Sequence, residues 1–141
     1  REIVVCAPSL LKGGPALKTI SDLRYFTLLH DDSHRSWTRW LEAVGAKGID
    51  PRRGIVCGDR NSMLQAALAG QGVAIASEVF AAADLVSGRL VKVFENEVTS
   101  EYSIYAVCLP RRLNDPMVSG VMQWLEQEAQ ASHDVHPPPA E

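Results

Sequence analysis

The stretch Val73-Ala74-Ile75-Ala76 is apolar at every position rather than at alternate ones. A strand with one wet face alternates, whereas a strand covered on both faces does not. This run therefore reads as an inner strand of a parallel sheet with helices packed above and below it. A helical segment, Met63 to Ala69, stands just before it with Leu64, Ala67 and Leu68 as its apolar stripe, and Gly70-Gln71-Gly72 makes the turn between the two.

The rest of the chain follows the same alternation. Glu2 to Ala7 is a strand that ends at Pro8, which cannot donate to a ladder. Gly13-Gly14-Pro15 marks a loop, Thr19 to Leu23 a short capped helical turn, and Tyr25 to Leu29 a further strand. Trp37, Trp40, Leu41 and Val44 share one face of a helix that starts near Ser33 or Ser36 and stops at Gly45. Gly54 to Cys57 is the next strand, and Ser77 caps a short helix through Ala83 that Gly88 closes. Strands are also predicted at Arg89 to Phe94 and Glu101 to Leu109. A last helix begins at Asp115-Pro116 with Met117, Val121, Met122 and Leu125 on one side, and residues 132–141 read as a flexible tail. Helices alternating with strands predict an α/β fold with a mainly parallel sheet.

Composition narrows the function. Fourteen Lys and Arg against seventeen Asp and Glu leave a net charge of -3, with no clustered basic face for phosphates. Cys6, Cys57 and Cys108 each sit in an apolar run and form no C-x-x-C pair, which fits buried thiols in a reducing cytoplasm. No apolar run of membrane-spanning length and no signal peptide is present. The sequence opens directly on a strand without an initiating Met, as a fragment would.

Catalytic chemistry is hard to find. There is no Gly-x-Ser-x-Gly elbow, no defensible nucleophile–base pair, and Asp31, Asp32, Asp50 and Asp59 lie in polar surroundings. Gly70-Gln71-Gly72 follows a helix and lacks the third glycine of a dinucleotide loop. His30 and His34 beside Asp31 and Asp32 could hold a metal, but a capping and surface role is the plainer reading, so neither metal nor cofactor is expected. Asp59-Arg60-Asn61-Ser62 is more suggestive, because it joins a strand end to a helix start. Ligands of open α/β sheets bind there, where helix N–H groups are unpaired. Helix capping explains the same residues equally well, and the two roles are compatible.

Four segments in order resemble the effector domain of LysR-type transcription regulators. Asn61-Ser62-Met63-Leu64-Gln65-Ala66-Ala67-Leu68-Ala69-Gly70-Gln71-Gly72-Val73-Ala74 is similar to its helix-turn-strand unit. Ala83-Asp84-Leu85-Val86-Ser87-Gly88-Arg89-Leu90-Val91 is similar to its D-L-x-x-G-x-L-V segment, and Val5-Cys6-Ala7-Pro8 resembles its crossover strand. Ser36-Trp37-Thr38-Arg39-Trp40-Leu41 resembles a segment of the branch that holds the glycine-cleavage and β-lactamase activators.

The resemblance implies two α/β lobes of the type 2 periplasmic-binding-protein kind with an effector between them. Residues 9–100 would be the second lobe. Residues 1–8 and 101–131 would be crossover strands and a remnant of the first lobe, most of which lies outside the chain. The implied effector contacts are Asn61, Ser62, Tyr102 and Trp37, although Trp37 also fits plain core packing. The implied partners are a small-molecule effector, a carboxylate or amino-acid-like anion, and further copies of the chain. DNA would be bound only through an N-terminal region outside it. A cytoplasmic, non-enzymatic regulator is thus expected. A transport solute-binding protein of the same architecture is the alternative, and a small α/β enzyme is disfavoured.

Overall fold

The computed structural model describes residues 1–12, 14–100 and 105–135, with side chains through residue 130. The chain divides into two units, Arg1–Ser100 and Glu101–Glu141. The first is built on a five-stranded sheet, β1 (Glu2–Cys6), β2 (Leu28–His30), β3 (Ile55–Val56), β4 (Val73–Ser77) and β5 (Val91–Lys92), in the order β3-β2-β4-β1-β5, with a short helix, α1 (Pro8–Lys12), directly after β1. Parallel ladders join β2 to β3 and to β4, while β1 runs antiparallel to both β4 and β5. Four strands therefore point one way and β1 alone points back. The sheet is mainly parallel, as the alternation predicts, with one reversed strand next to its centre.

The all-apolar run of β4 has the cause inferred for it. Val73 and Ile75 face one layer, with Val4 and Cys6 of β1 and with Trp37, Trp40 and Leu41 of α2 (Arg35–Ala43). Ala74 and Ala76 face the other, with Ile3 and Val5, Met63 and Ala67 of α3 (Arg60–Leu68), and Ala81 of α4 (Glu78–Val86). The two layers differ in side-chain size. Small residues on the α3–α4 side let those helices lie close to the sheet, and the indoles fill the opposite side. There Trp40 stacks on Phe94 with centroids 6.0 Å apart and meets Trp37 edge to face at 6.1 Å.

Several boundaries differ from the sequence expectation. Tyr25 and Phe26 do not belong to a strand. Ile20–Tyr25 is a 3-10 helix capped at Thr19, with Phe26 as its C-cap. The Asp22 carboxylate accepts from the Thr19 backbone at 2.8 Å and its hydroxyl at 2.9 Å, while Arg53 donates to the carbonyls of Leu23 and Phe26. Those local partners bend the backbone before it reaches the sheet, and Tyr25 stays exposed. The strand expected over Arg89–Phe94 is shortened to Val91–Lys92, and Leu90 N–H bonds the Asp84 carbonyl instead. Helix α4 runs to Val86 rather than Ala83, and α3 begins at Arg60 rather than Met63, so Asn61 and Ser62 lie within its first turn.

In the second unit, residues 105–109 form no ladder, since no described strand pairs with them; the other part of that expected strand, residues 101–104, lies outside the described residues. Its helix α5 (Pro116–Val135) opens where Asp115-Pro116 predicts, with Met117 N–H on the Asp115 carboxylate at 3.0 Å. It continues past Ser132, where the sequence suggests a tail.

Where the chain enters and leaves the first unit, it is stitched side by side. Glu2 and Val98 exchange both backbone hydrogen bonds, at 2.8 and 3.1 Å, and Arg1 pairs with Glu97 at 2.7 Å. The buried Glu2 carboxylate also takes Arg39 of α2 and the Ser100 hydroxyl.

Candidate functional site

The parallel strands end on one side of the sheet, and the loops leaving them converge there. Asp31 and Asp32 follow β2, Gly58 and Asp59 follow β3, and Arg60, Asn61 and Leu64 occupy the first turns of α3. Phe80 stands in the first turn of α4, directly after β4. These residues line one open cavity of about 510 Å³. The two loops are locked together, with Cys57 N–H on the His30 carbonyl at 2.9 Å and Gly58 N–H on the Asp31 carbonyl at 2.8 Å.

The α3 start is not an empty anion site. Asp59 is its N-cap, and its carboxylate accepts from the Ser62 backbone N–H at 2.9 Å and the Ser62 hydroxyl at 2.6 Å. These bonds hold the Asp59 carboxyl below its ordinary pKa, the hydroxyl contributing most. Across the cavity wall, Arg60 lies 3.8 Å from Asp31, whose side chain is only 13% exposed. One Asp31 carboxylate oxygen, Oδ1, is buried with no hydrogen-bond partner.

Three of the four residues singled out from the sequence fall among the described residues. Asn61 lines the cavity, whereas Ser62 is spent on the Asp59 cap beside it. Trp37 is fully buried in the core and donates its indole N–H to the Leu29 carbonyl at 2.9 Å, so it does not line the cavity. Tyr102 lies outside the described residues. Asp31, Asp32 and Phe80 are not among the effector contacts that the sequence suggests, yet they line the cavity. The signal that finds them is position: each directly follows, or sits one turn beyond, the carboxyl end of a parallel strand.

His30 and His34 do not cap with their side chains; His34 is the N-cap residue of α2, but its ring makes no cap bond. Instead they bond each other, Nδ1 to Nδ1 at 3.3 Å, while His30 Nε2 lies 3.0 Å from the Arg53 carbonyl. A carbonyl only accepts, so His30 carries its proton on Nε2 and receives one from His34. Burial, above all, pushes the His30 pKa below its ordinary value of 6.5. Among the described residues, no group of three or more His, Cys, Asp or Glu is placed to hold a metal ion, and no helix is long and apolar enough to cross a membrane.

Comparison with known proteins places this geometry in a family. The LysR substrate binding domain matches residues 1–130. The glycine cleavage system transcriptional activator of Escherichia coli K12 is 36% identical over 130 residues, covering 92% of this chain and 43% of that protein. The transcriptional activator AmpR of Enterobacter cloacae is 29% identical, covering 88% of this chain and 42% of its own length. The AmpR effector binding domain of Citrobacter freundii superposes with a TM-score of 0.59 at 31% identity, over 69% of this chain and 48% of that one. The chain thus spans under half the length of the curated relatives it matches, and those relatives are named as transcription regulators rather than as enzymes or transporters. These matches show that the chain belongs to the LysR substrate-binding domain family, with its type 2 periplasmic-binding-protein-like α/β fold.

Proposed function

We propose that this chain is the effector-sensing and self-associating part of a LysR-type transcription regulator. The cavity at the carboxyl ends of β2, β3 and β4 carries this reading, because that end of an open α/β sheet is where ligands are held. Residues 9–100 form one lobe, residues 1–8 are a crossover whose strand β1 lies in that lobe's sheet, and residues 101–131 lead to the other. Asn61 contacts the effector, and Ser62 acts on it indirectly by fixing Asp59. The effector favours one arrangement of the lobes over another, and the change in population reaches DNA through a separate N-terminal region. The protein works in the cytoplasm as a homo-oligomer, without a metal or cofactor and without catalysis.

The test is capture of the effector. The purified protein is equilibrated with a small-molecule extract of bacterial cells, and retained compounds are identified by mass spectrometry beside a Leu64→Trp variant whose indole fills the cavity. A compound held by the protein and lost from the variant supports the reading. A compound held equally by both places the effector site elsewhere.

A further inference from the structure

Asp31, Asp32 and Ser33 lead from the end of β2 to the start of α2, and His30 and His34 stand at the two ends of that loop. Their rings meet edge to face with centroids 4.4 Å apart, across the Nδ1–Nδ1 contact of 3.3 Å. The loop between them is lightly held. Asp31 is tied to the start of α3 by the Gly58 N–H on its carbonyl and by Arg60. Beyond it Asp32 is exposed, and Ser33 accepts from the Arg35 N–H at a long 3.5 Å.

A hydrogen bond between two imidazoles needs a proton on one facing nitrogen and none on the other. His30 donates Nε2–H to the Arg53 carbonyl, so its Nδ1 is the atom that faces His34. The neutral pair meets this condition, with His34 donating. One added proton leaves it met, because either ring can then serve as the fully protonated donor. Two added protons end it, since both Nδ1 atoms then carry hydrogen and two positive rings face each other at the positive end of α2. Little nearby offsets the second charge. The stretches of β3 and β4 paired with β2 are apolar, and the Arg53 guanidinium is turned to the carbonyls of Leu23 and Phe26. Asp31 favours charge on His30, but Arg60 of α3 faces it at 3.8 Å. His30 is 2% exposed, and burial above all holds its pKa below 6.5, so the second proton enters in acid.

We propose that His30 and His34 form an acid-released latch, which clasps the ends of the 31–33 loop while it holds at most one added proton and lets them part when it takes a second. Helix α2 stays docked, because Trp37, Trp40 and Leu41 are buried and Trp37 is bonded to β2. The parts set free are Asp32, Ser33 and His34. Asp32 lines the cavity, so acid loosens one of its walls. Weaker effector binding in acid then rests on the cavity being the effector site proposed above, whereas the latch itself does not.

Backbone amide relaxation by NMR, followed as the pH is lowered, tests the latch beside imidazole nitrogen spectra that count the protons on each ring. Order parameters of Asp32, Ser33 and His34 are expected to fall from about 0.85 to about 0.6 as the pair takes its second proton, while that of Leu41 stays high. His34→Ala removes no cap bond, because the His34 ring makes none. In that variant the loop is mobile already at neutral pH and shows no further change in acid. Three results overturn the latch: a loop unchanged through the second protonation, a His34→Ala loop as rigid as the parent's, or unfolding of the whole sheet before or together with that protonation. All are read on the ligand-free protein, so they stand or fall separately from the effector site.

Discussion

Trp37 donates its indole N–H to the carbonyl of Leu29, 2.9 Å away, from the first turn of α2 to strand β2 of the sheet. Both residues are fully buried, so the bond joins the helix to β2 where neither partner can turn to water instead. Trp37→Phe keeps most of the ring but removes the donor. It is expected to destabilise the fold by about 2 kcal/mol, within the range for losing a buried hydrogen-bond partner. Chemical denaturation curves measure this, and the amide resonances around Asn61 should stay in place, since Trp37 does not line the cavity.

His30 makes stability depend on pH. Its folded pKa lies below 6.5, so the unfolded chain binds the proton more readily than the folded one. By linkage, the contribution of His30 is fully present above pH 6.5 and is lost as pH falls from there through the folded pKa. Titration of the His30 ring by NMR should give a midpoint below 6.5. A midpoint at or above that value would contradict the burial that, above all, causes the shift.

Burial pushes the Cys6 thiol up to about 11. The thiolate is the reactive form, so Cys6 should resist iodoacetamide in the native protein and react once the sheet is unfolded. Peptide mass spectrometry with and without denaturant reads this out, and rapid native labelling of Cys6 would mean that β1 opens far more freely than its packing implies.

Gly54 enters β3 at a φ of +126°, and a Cβ there would stand 1.9 Å from the Leu28 carbonyl oxygen of β2. Gly54→Ala should therefore cost about 4 kcal/mol or more, because backbone cannot move aside as a flexible side chain does. Gly48→Ala is the control, with a φ of +77° but nothing within 4 Å; it should cost only about 1 kcal/mol. Equal thermal stabilities for the two variants would show that β2 and β3 are not paired as described.

How much was legible in the sequence follows from where each signal resides. β4 could be read directly, since both of its faces meet helices and the residues record it. The α2 helix could be read from Trp37, Trp40 and Leu41, but not which indole would be closed off from the cavity, because one periodic stripe serves core and rim alike. Tyr25-Phe26 misleads because a short apolar run looks the same in a strand and in a tight turn, and the deciding partner, Arg53, lies far along the chain. The helix start at Asp59 to Ser62 was visible as a cap or a ligand contact. The wall facing it was not, since Asp31, Asp32 and Phe80 meet it only through the strand order β3-β2-β4. The reversal of β1 is likewise a property of pairing, which a strand's own residues do not encode.

The central claim is that a small molecule binds at the carboxyl ends of β2, β3 and β4, and mapping a diverse small-molecule library onto the protein by NMR tests it most directly. The expected result is that binders shift a contiguous set of amides at Asp31, Asp32, Gly58, Asn61, Leu64 and Phe80, and that Leu64→Trp abolishes the effect. Shifts concentrated elsewhere in the first unit, or unaffected by Leu64→Trp, would contradict it.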